Sequence, residues 1–452
     1  MNKFICKELQ GWNGHNPGMM IHVYVNGIAS KQPAIATVEG VLGWMRACVS
    51  IFFLVAMCSP ANAFPKIPAR PLPSPNAFDY YVKAEKAVVD ELKLFDSHSD
   101  LAAIVSDNGN ALRLLRAGFQ YRCVCPSQRS ATVNYSYLAN VRSLAMILRA
   151  EGRLRGAKGD WFGAASSCID AIKVGVDIVH GSPEMGMLAG DACQAIGSHG
   201  LWDALPHLTA TEARTCASRL IAIEHGREPF VDVMREEEWT GQARLLAEFA
   251  KPKQLSDDTM NGLGIVNDEP GQVGHATLHM ELQQMGKQKV FNAYTRYRDQ
   301  FVQSAMKPYA DKVPTNRVMP DPITLIADTA FKLDPYQSVR IRDTAAETAG
   351  DFLIVALALQ AYRREHGGYP TSLTDLVSRG CLRTLPDDPF AHSGSLKYQR
   401  TIKDYALYSV GPDGIDNHGA AITNPGETAV VNRQPRIADD SKGDIVAGLN
   451  LY

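Results

Sequence analysis

The run Phe352-Leu-Ile-Val-Ala-Leu-Ala-Leu359 is apolar at every position, and Ala345, Ala346 and Ala349 stand ahead of it. A helix that is apolar all round has to be buried on every side, so other parts of the chain must wrap around this one. Thr344 followed by Glu347 has the spacing of a capping box and predicts the helix start at Thr344. Gly367-Gly368 supplies the left-handed stop, and Pro370 forbids continuation. From Thr344 to His366 the helix would span roughly 35 Å at ~1.5 Å per residue. Its apolar run of eight residues is far short of the ~20 needed to cross a bilayer.

Beyond that helix the signals are local and dense. Thr371 can open a short helix carrying Leu373, Leu376 and Val377, and Pro386-Asp387-Asp388-Pro389 forces a turn. Ser395–Arg400 and Asp404–Val410 alternate in the manner of a hairpin. The loop Gly411-Pro412-Asp413-Gly414-Ile415-Asp416-Asn417 follows. A long helix laid on a small antiparallel sheet is an α+β module.

Three blocks recur in this order: Ala361-Tyr-Arg-Arg-Glu-His-Gly-Gly-Tyr-Pro370, Leu385-Pro-Asp-Asp-Pro-Phe390 and Leu407-Tyr-Ser-Val-Gly-Pro-Asp-Gly414. Together they resemble the soluble domain of the type II secretion major pseudopilin, over roughly residues 342–446. The resemblance implies a long helix packed on a short antiparallel sheet. It also implies a calcium site in the loop after the last strand, closed by a later Asp-Ile pair. Here those positions are Asp413, Asp416 and Asn417 in the loop and Asp444, followed by Ile445, in the tail. The family's leader, Gly-Phe-Thr-Leu-x-Glu motif and membrane helix do not stand before Arg342. The resemblance therefore reaches the local fold and the ion site, not assembly into a fibre. Calcium takes six to eight oxygen ligands from a loop able to curl around it, and Asp413 and Asp416 are three apart in such a loop. The residues by themselves are equally compatible with tight turns built from Gly, Pro, Asp and Asn.

A length of 452 residues predicts two or three domains. Hydrophobic content of 45% and charged content of 21% are those of a globular chain, and a net charge of −2 gives no argument for nucleic acid or an anionic membrane. Residues 45–63 read as a secretory signal: Met45-Arg46, an apolar stretch from Val49 to Met57, then Ala61-Asn62-Ala63 as the cleavage site. That stretch is too short for a stable transmembrane span. Residues 1–44 show no periodicity and read as unstructured or as a start assigned too early. Pro65, Pro68, Pro71, Pro73 and Pro75 make 64–76 an extended tether. The chain is thus expected to be extracytoplasmic, either periplasmic or secreted.

Residues 77–307 carry helical patterning throughout: Ala77–Phe95, Leu101–Leu115, Tyr137–Leu154, Glu212–Ile223, Gln242–Phe249 and His275–Met306. Leu148, Gly152, Gly159, Ala164, Cys168 and Ala171 sit where a tetratricopeptide helix pair places its packing residues. There is no second copy at that period, which favours a single tight helical hairpin over a repeat array. Pro308, Pro314, Pro320 and Pro322 mark 308–336 as a linker to a module over 337–452. The whole is α+β, a mainly helical domain followed by a small helix-on-sheet domain.

His275 and His279 are four apart with Glu281 nearby, a spacing that can bind zinc. No third ligand is evident, and a solvated helix face is the better reading. Cys123, Cys125, Cys168, Cys193, Cys216 and Cys381 follow the signal; in an exported chain they permit disulfides, while Cys168 fits equally well as a buried thiol. Glu236, Glu237 and Glu238 read as a solvated face. Gly-x-Ser-x-Gly, Ser-x-x-Lys, Walker and dinucleotide motifs are absent, although paired carboxylates of a glycosidase need not be close in sequence. The first expectation is an exported, non-catalytic protein with a helical packing or binding domain and a calcium-stabilised C-terminal module. Its partner would be a protein of the cell envelope. The second is an extracytoplasmic hydrolase with its site in the helical domain. A concave pocket lined by His, Asp or Glu would favour the second, and a continuous apolar face the first.

Overall fold

The computed structural model describes residues 64, 66–89, 100–126, 129, 135–250, 286–311, 336–423 and 437–449. The early segment and signal expected within 1–63, the pair His275 and His279, and most of the linker expected at 308–336 lie outside the described residues. Helices are α1 (Ala77–Glu85), α2 (Leu101–Asp107), α3 (Gly109–Gly118), α4 (Ser136–Ala157) and α5 (Trp161–Asp177). Then come α6 (Glu184–Ala204), α7 (Ala210–Glu224), α8 (Phe230–Ala250), α9 (Lys287–Ala305), α10 (Tyr336–His366) and the single turn α11 (Thr374–Ser378). Three short strands, β1 (Lys397–Arg400), β2 (Tyr405–Ser409) and β3 (Ile445–Val446), form an antiparallel sheet in the order β1-β2-β3. The fold is α+β, with helix dominant.

Local chemistry accounts for the helix boundaries. Asn76 caps α1 by accepting from Phe78 N–H and also holds Val124 through both its N–H and its carbonyl. The stretch expected as one helix over Leu101–Leu115 is broken at Asn108, whose amide turns to the Ile104 carbonyl and to both backbone groups of Val89. Gly159 takes φ +81° in the tight turn between α4 and α5, and Asp160 then caps α5 through Gly163 N–H. At that hairpin a Cβ on Gly152 would meet Cys168 Sγ at 3.0 Å and the Ala164 carbonyl at 3.2 Å. The small residues singled out in the sequence are therefore where the two helices touch. Thr209 and Glu212 form a full capping box on α7.

The capping box expected at Thr344 and Glu347 is not there. The helix already runs from Tyr336, and the Thr344 hydroxyl, buried in mid-helix, donates to the Arg340 carbonyl. Tertiary packing of Val339, Arg340 and Ile341, all buried, extends the helix past a local start signal. The stop is where the sequence placed it, with Gly367 at φ +77° and its N–H on the Arg363 carbonyl.

Helix α10 is the centre of the largest core. Phe352, Leu353, Val355, Leu357 and Leu359 are all 1% exposed or less. They share one cluster with Cys168, Ile169, Leu201, Cys216 and Leu220 of α5–α7 and with Phe390, Leu396, Leu407 and Ile445 around the sheet. Each such side chain contributes ~1.5–3 kcal/mol relative to exposure. The helix is apolar all round because helices cover one side of it and the sheet the other. A second core joins α1, α3, α4, α5 and Cys193 of α6, and a third lies where α6, α8, α9 and Val339 of α10 meet. Residues Lys66–Tyr452 cluster as one unit.

The Pro-rich stretch from Lys66 forms no helix or strand and is fastened to the helices. Arg70 pairs with Glu228 at 2.8 Å and with Glu236 at 3.1 Å, and Arg129 reaches both Glu236 and the Pro68 carbonyl. Glu236 and Glu237, expected on a solvated face, are buried at 2% and 7% exposure. The arginines arriving from Arg70 and Arg129 satisfy Glu236, and Glu237 accepts from Glu184 N–H. Sequence spacing along one helix could not show those partners.

Candidate functional site

The loop and the tail named as ligands do come together. Asp444, fully buried, pairs in a parallel bridge with Ala421, and its carboxylate accepts from Asn417 N–H at 3.1 Å and Gly419 N–H at 2.6 Å. Asp413 accepts from Ile415 N–H and from Gly443 N–H at 3.3 Å, which ties loop to tail from the other side. Asp416 takes His418 N–H at 2.9 Å, and the Asn417 side chain donates to the Ile415 carbonyl. Burial pushes the Asp444 carboxyl up, the two N–H bonds pull it down, and Asp416 and Asp413 raise it further. Three carboxylates thus share a corner, each turned to backbone N–H. Every such oxygen keeps a lone pair after one hydrogen bond, so the donor set has the oxygen chemistry calcium takes. Among the described residues no three His, Cys, Asp or Glu side chains already converge as a metal shell.

A second site was not foreseen. Between the end of α7, the start of α8, the end of α9, the first half of α10 and the turn 387–394 lies a cavity of about 730 Å³. Ligand pockets fall in this size range. Its walls include Glu224, Arg227, Phe230, Tyr309, Arg340, Asp343, Glu347, Asp388 and His392. Asp343, 9% exposed, makes neither a hydrogen bond nor an ion pair among the described residues. Burial lifts its carboxyl to about 6 against the pull of Arg227 and Arg340. Glu347, one turn on, keeps one side open to solvent; desolvation of the other side and the neighbouring Asp343 lift it to about 7, with Arg227 opposing. Asp351, a further turn on, is pushed well up by burial, then by Glu347 and Glu224.

The two arginines of the walls have partners of their own. Arg227 holds Glu224 at 2.9 Å and the Gln194 carbonyl oxygen at 2.6 Å. Arg340 donates to the Ser304 and Lys307 carbonyls and stands over the rings of Phe230 and Tyr309. The other Glu224 oxygen, Oε1, is buried without a hydrogen bond and lies against Gly350. Behind it both oxygens of Asp191 are likewise buried and unbonded, and burial drives that carboxyl well up. On the opposite wall Asp388 is satisfied by Ser409 O–H at 2.6 Å and by Val410 and Phe390 N–H. The trace of this cavity in the sequence is the spacing of Asp343 and Glu347, four residues apart just ahead of the apolar run, with Asp351 four further on behind the wall.

The six cysteines are free thiols, all buried except the half-buried Cys381. Burial pushes Cys168 and Cys193 up to about 12, which leaves them protonated and unreactive. No described helix is long and apolar enough to cross a membrane. No family model, curated protein or solved structure matches the chain.

Proposed function

We propose that this chain is an exported, extracytoplasmic binding protein whose helical region takes a small polar ligand in the cavity beside α10. The observation that carries this reading is Asp343, a carboxylate buried in a cavity wall with no hydrogen bond or ion pair among the described residues. A buried, unpaired ionised group is costly, and ligand sites are where such cost is tolerated. Isothermal titration of small-molecule classes against the wild-type chain and Asp343→Asn tests it. Asp343-dependent binding supports the reading, and identical isotherms for every class would overturn it.

The C-terminal part is proposed to be pseudopilin-like, with calcium held by Asp413, Asp416, Asn417 and Asp444. The juxtaposition of loop and tail supports this reading. Calcium would supply the positive charge that three clustered carboxylates lack. Melting of the whole chain in calcium and in chelator tests it: a higher Tm in calcium that is lost in Asp413→Asn/Asp416→Asn is expected. Equal melting would remove the ion. A role as accessory to an envelope or secretion assembly, with a protein partner there, follows only by analogy with that family.

The same cavity favours one other reading, a hydrolase. Glu347, held near neutrality in a concave site, has the protonation a general acid needs. Turnover of a chromogenic glycoside or ester that is abolished by Glu347→Gln would establish it; no turnover across both classes would dismiss it.

A further inference from the structure

Resting on the reading of the cavity as a ligand site, we infer that its occupant is an aliphatic diamine or linear polyamine, whose ammonium groups are taken by Asp343 and Glu347 with Glu224 beside them. Three observations meet here. The acceptors lie along a line, not around a point: Asp343 and Glu347 are four residues apart on α10, a rise of about 6 Å. Two ammonium groups separated by a four-carbon chain stand at a comparable distance. Carboxylates spaced along a helix face in this way suit an elongated cation with charges at both ends better than a single point charge.

The vacant acceptors are also the ones a cation would need. Among the described residues Asp343 has no hydrogen bond or ion pair although it is nine-tenths buried. Glu224 gives one oxygen to Arg227 and keeps Oε1 buried and unbonded. Gly350 makes room for it, because a Cβ there would lie 2.6 Å from that oxygen. The arginines attract these carboxylates without occupying them. Arg227 is held by Glu224 and Gln194 and Arg340 by backbone carbonyls, and neither is hydrogen-bonded to Asp343 or Glu347 among the described residues. Glu224, Glu228, Asp343, Glu347, Asp387 and Asp388 outnumber Arg227, Lys307 and Arg340 in the walls. Phe230 and Tyr309 give the methylene chain an apolar wall, so that both halves of such a ligand find their complement.

The test is calorimetric titration of the whole mature chain with putrescine and spermidine, with butylamine and magnesium as controls. Putrescine or spermidine should bind about tenfold or more tightly than butylamine, and Asp343→Asn and Glu347→Gln should each weaken binding about tenfold or more. Both variants nearly preserve side-chain shape, and Glu347→Gln serves if Asp343→Asn does not fold. Equal affinity for butylamine, or diamine binding untouched by both variants, overturns the inference. A thermal-shift screen of sugars, amino acids and carboxylates separates the two levels. Asp343-dependent binding of one of those classes, without amine binding, rejects the amine and keeps the ligand site. No binding in any class, with both variants melting above the wild type, rejects both.

Discussion

Asp343 and Glu347 carry more protons in the folded chain than in the unfolded one. Their ordinary values are 3.8 and 4.5 and their folded values about 6 and about 7. The stability they lend is therefore full below ~pH 4 and is lost as pH rises through 6 to 7. Groups facing Asp343 are Arg227, Arg340, Glu224, Glu347 and Asp191; those facing Glu347 are Asp343, Asp351, Arg227 and Glu224. Glu347 is open to solvent along one side, so Asp343 should dominate. Without ligand, Tm should fall between ~pH 4 and ~pH 7. Asp343→Asn should flatten that fall, raising Tm at the alkaline end and not at ~pH 4. Scanning calorimetry across that range checks it, and an unchanged slope in the variant would refute the assignment. A backbone prediction belongs at this scale too. Gly411 has φ +68°, and a Cβ there would lie 2.6 Å from the Gly443 carbonyl, whereas Gly414, at φ +69°, faces open space. Gly411→Ala should cost ~2 kcal/mol or more and Gly414→Ala ~1 kcal/mol in urea unfolding. Equal costs would mean that the loop and tail do not meet.

At the scale of elements, α5 and α6 approach backbone to backbone. A Cβ on Gly190 would lie 2.5 Å from the Gly175 carbonyl, and one on Gly197 the same distance from the Cys168 carbonyl. Gly190→Ala is expected to destabilise by ~2 kcal/mol or more, measured by urea denaturation. Gly109→Ala, at the first residue of α3 with nothing nearby, should be neutral or stabilising by up to ~1 kcal/mol. The C-terminal elements were legible because their signals are local: Gly367 for the stop, alternation for β1 and β2, and prolines for the turn. Strand β3 is two residues long and pairs with β2 across a long separation, so no pattern announces it. The cavity was illegible for a related reason. Its walls come from four stretches, near 224–230, 305–309, 340–347 and 387–394. Within any one stretch, Glu224 or Asp343 is indistinguishable from a solvated acid. Glu347 was read as a cap because Thr344 stands at the right interval, and only the buried turn before it shows otherwise.

At the scale of the molecule, the apolar residues of α10 are divided between the sheet and the helices α6 and α7. A fragment beginning near Gln337 would keep the sheet and lose the helices, leaving the side facing Leu201, Cys216 and Leu220 open to water. Such a fragment should bind a hydrophobic dye and lack a cooperative melt, while the chain from Lys66 onward should melt cooperatively. A sharp transition for the isolated fragment would show two separable domains. Arg70 adds a constraint of another kind, since its partners Glu228 and Glu236 lie 158 and 166 residues further along. During synthesis the amino end leaves the ribosome long before either glutamate has been made. The first fastened segment of the chain is therefore among the last to be fastened, and until then Glu228 and Glu236 lack one of their counter-ions. Proteolytic trimming that stops short of Arg70 leaves this late closure intact, whereas trimming past it removes the closure for good.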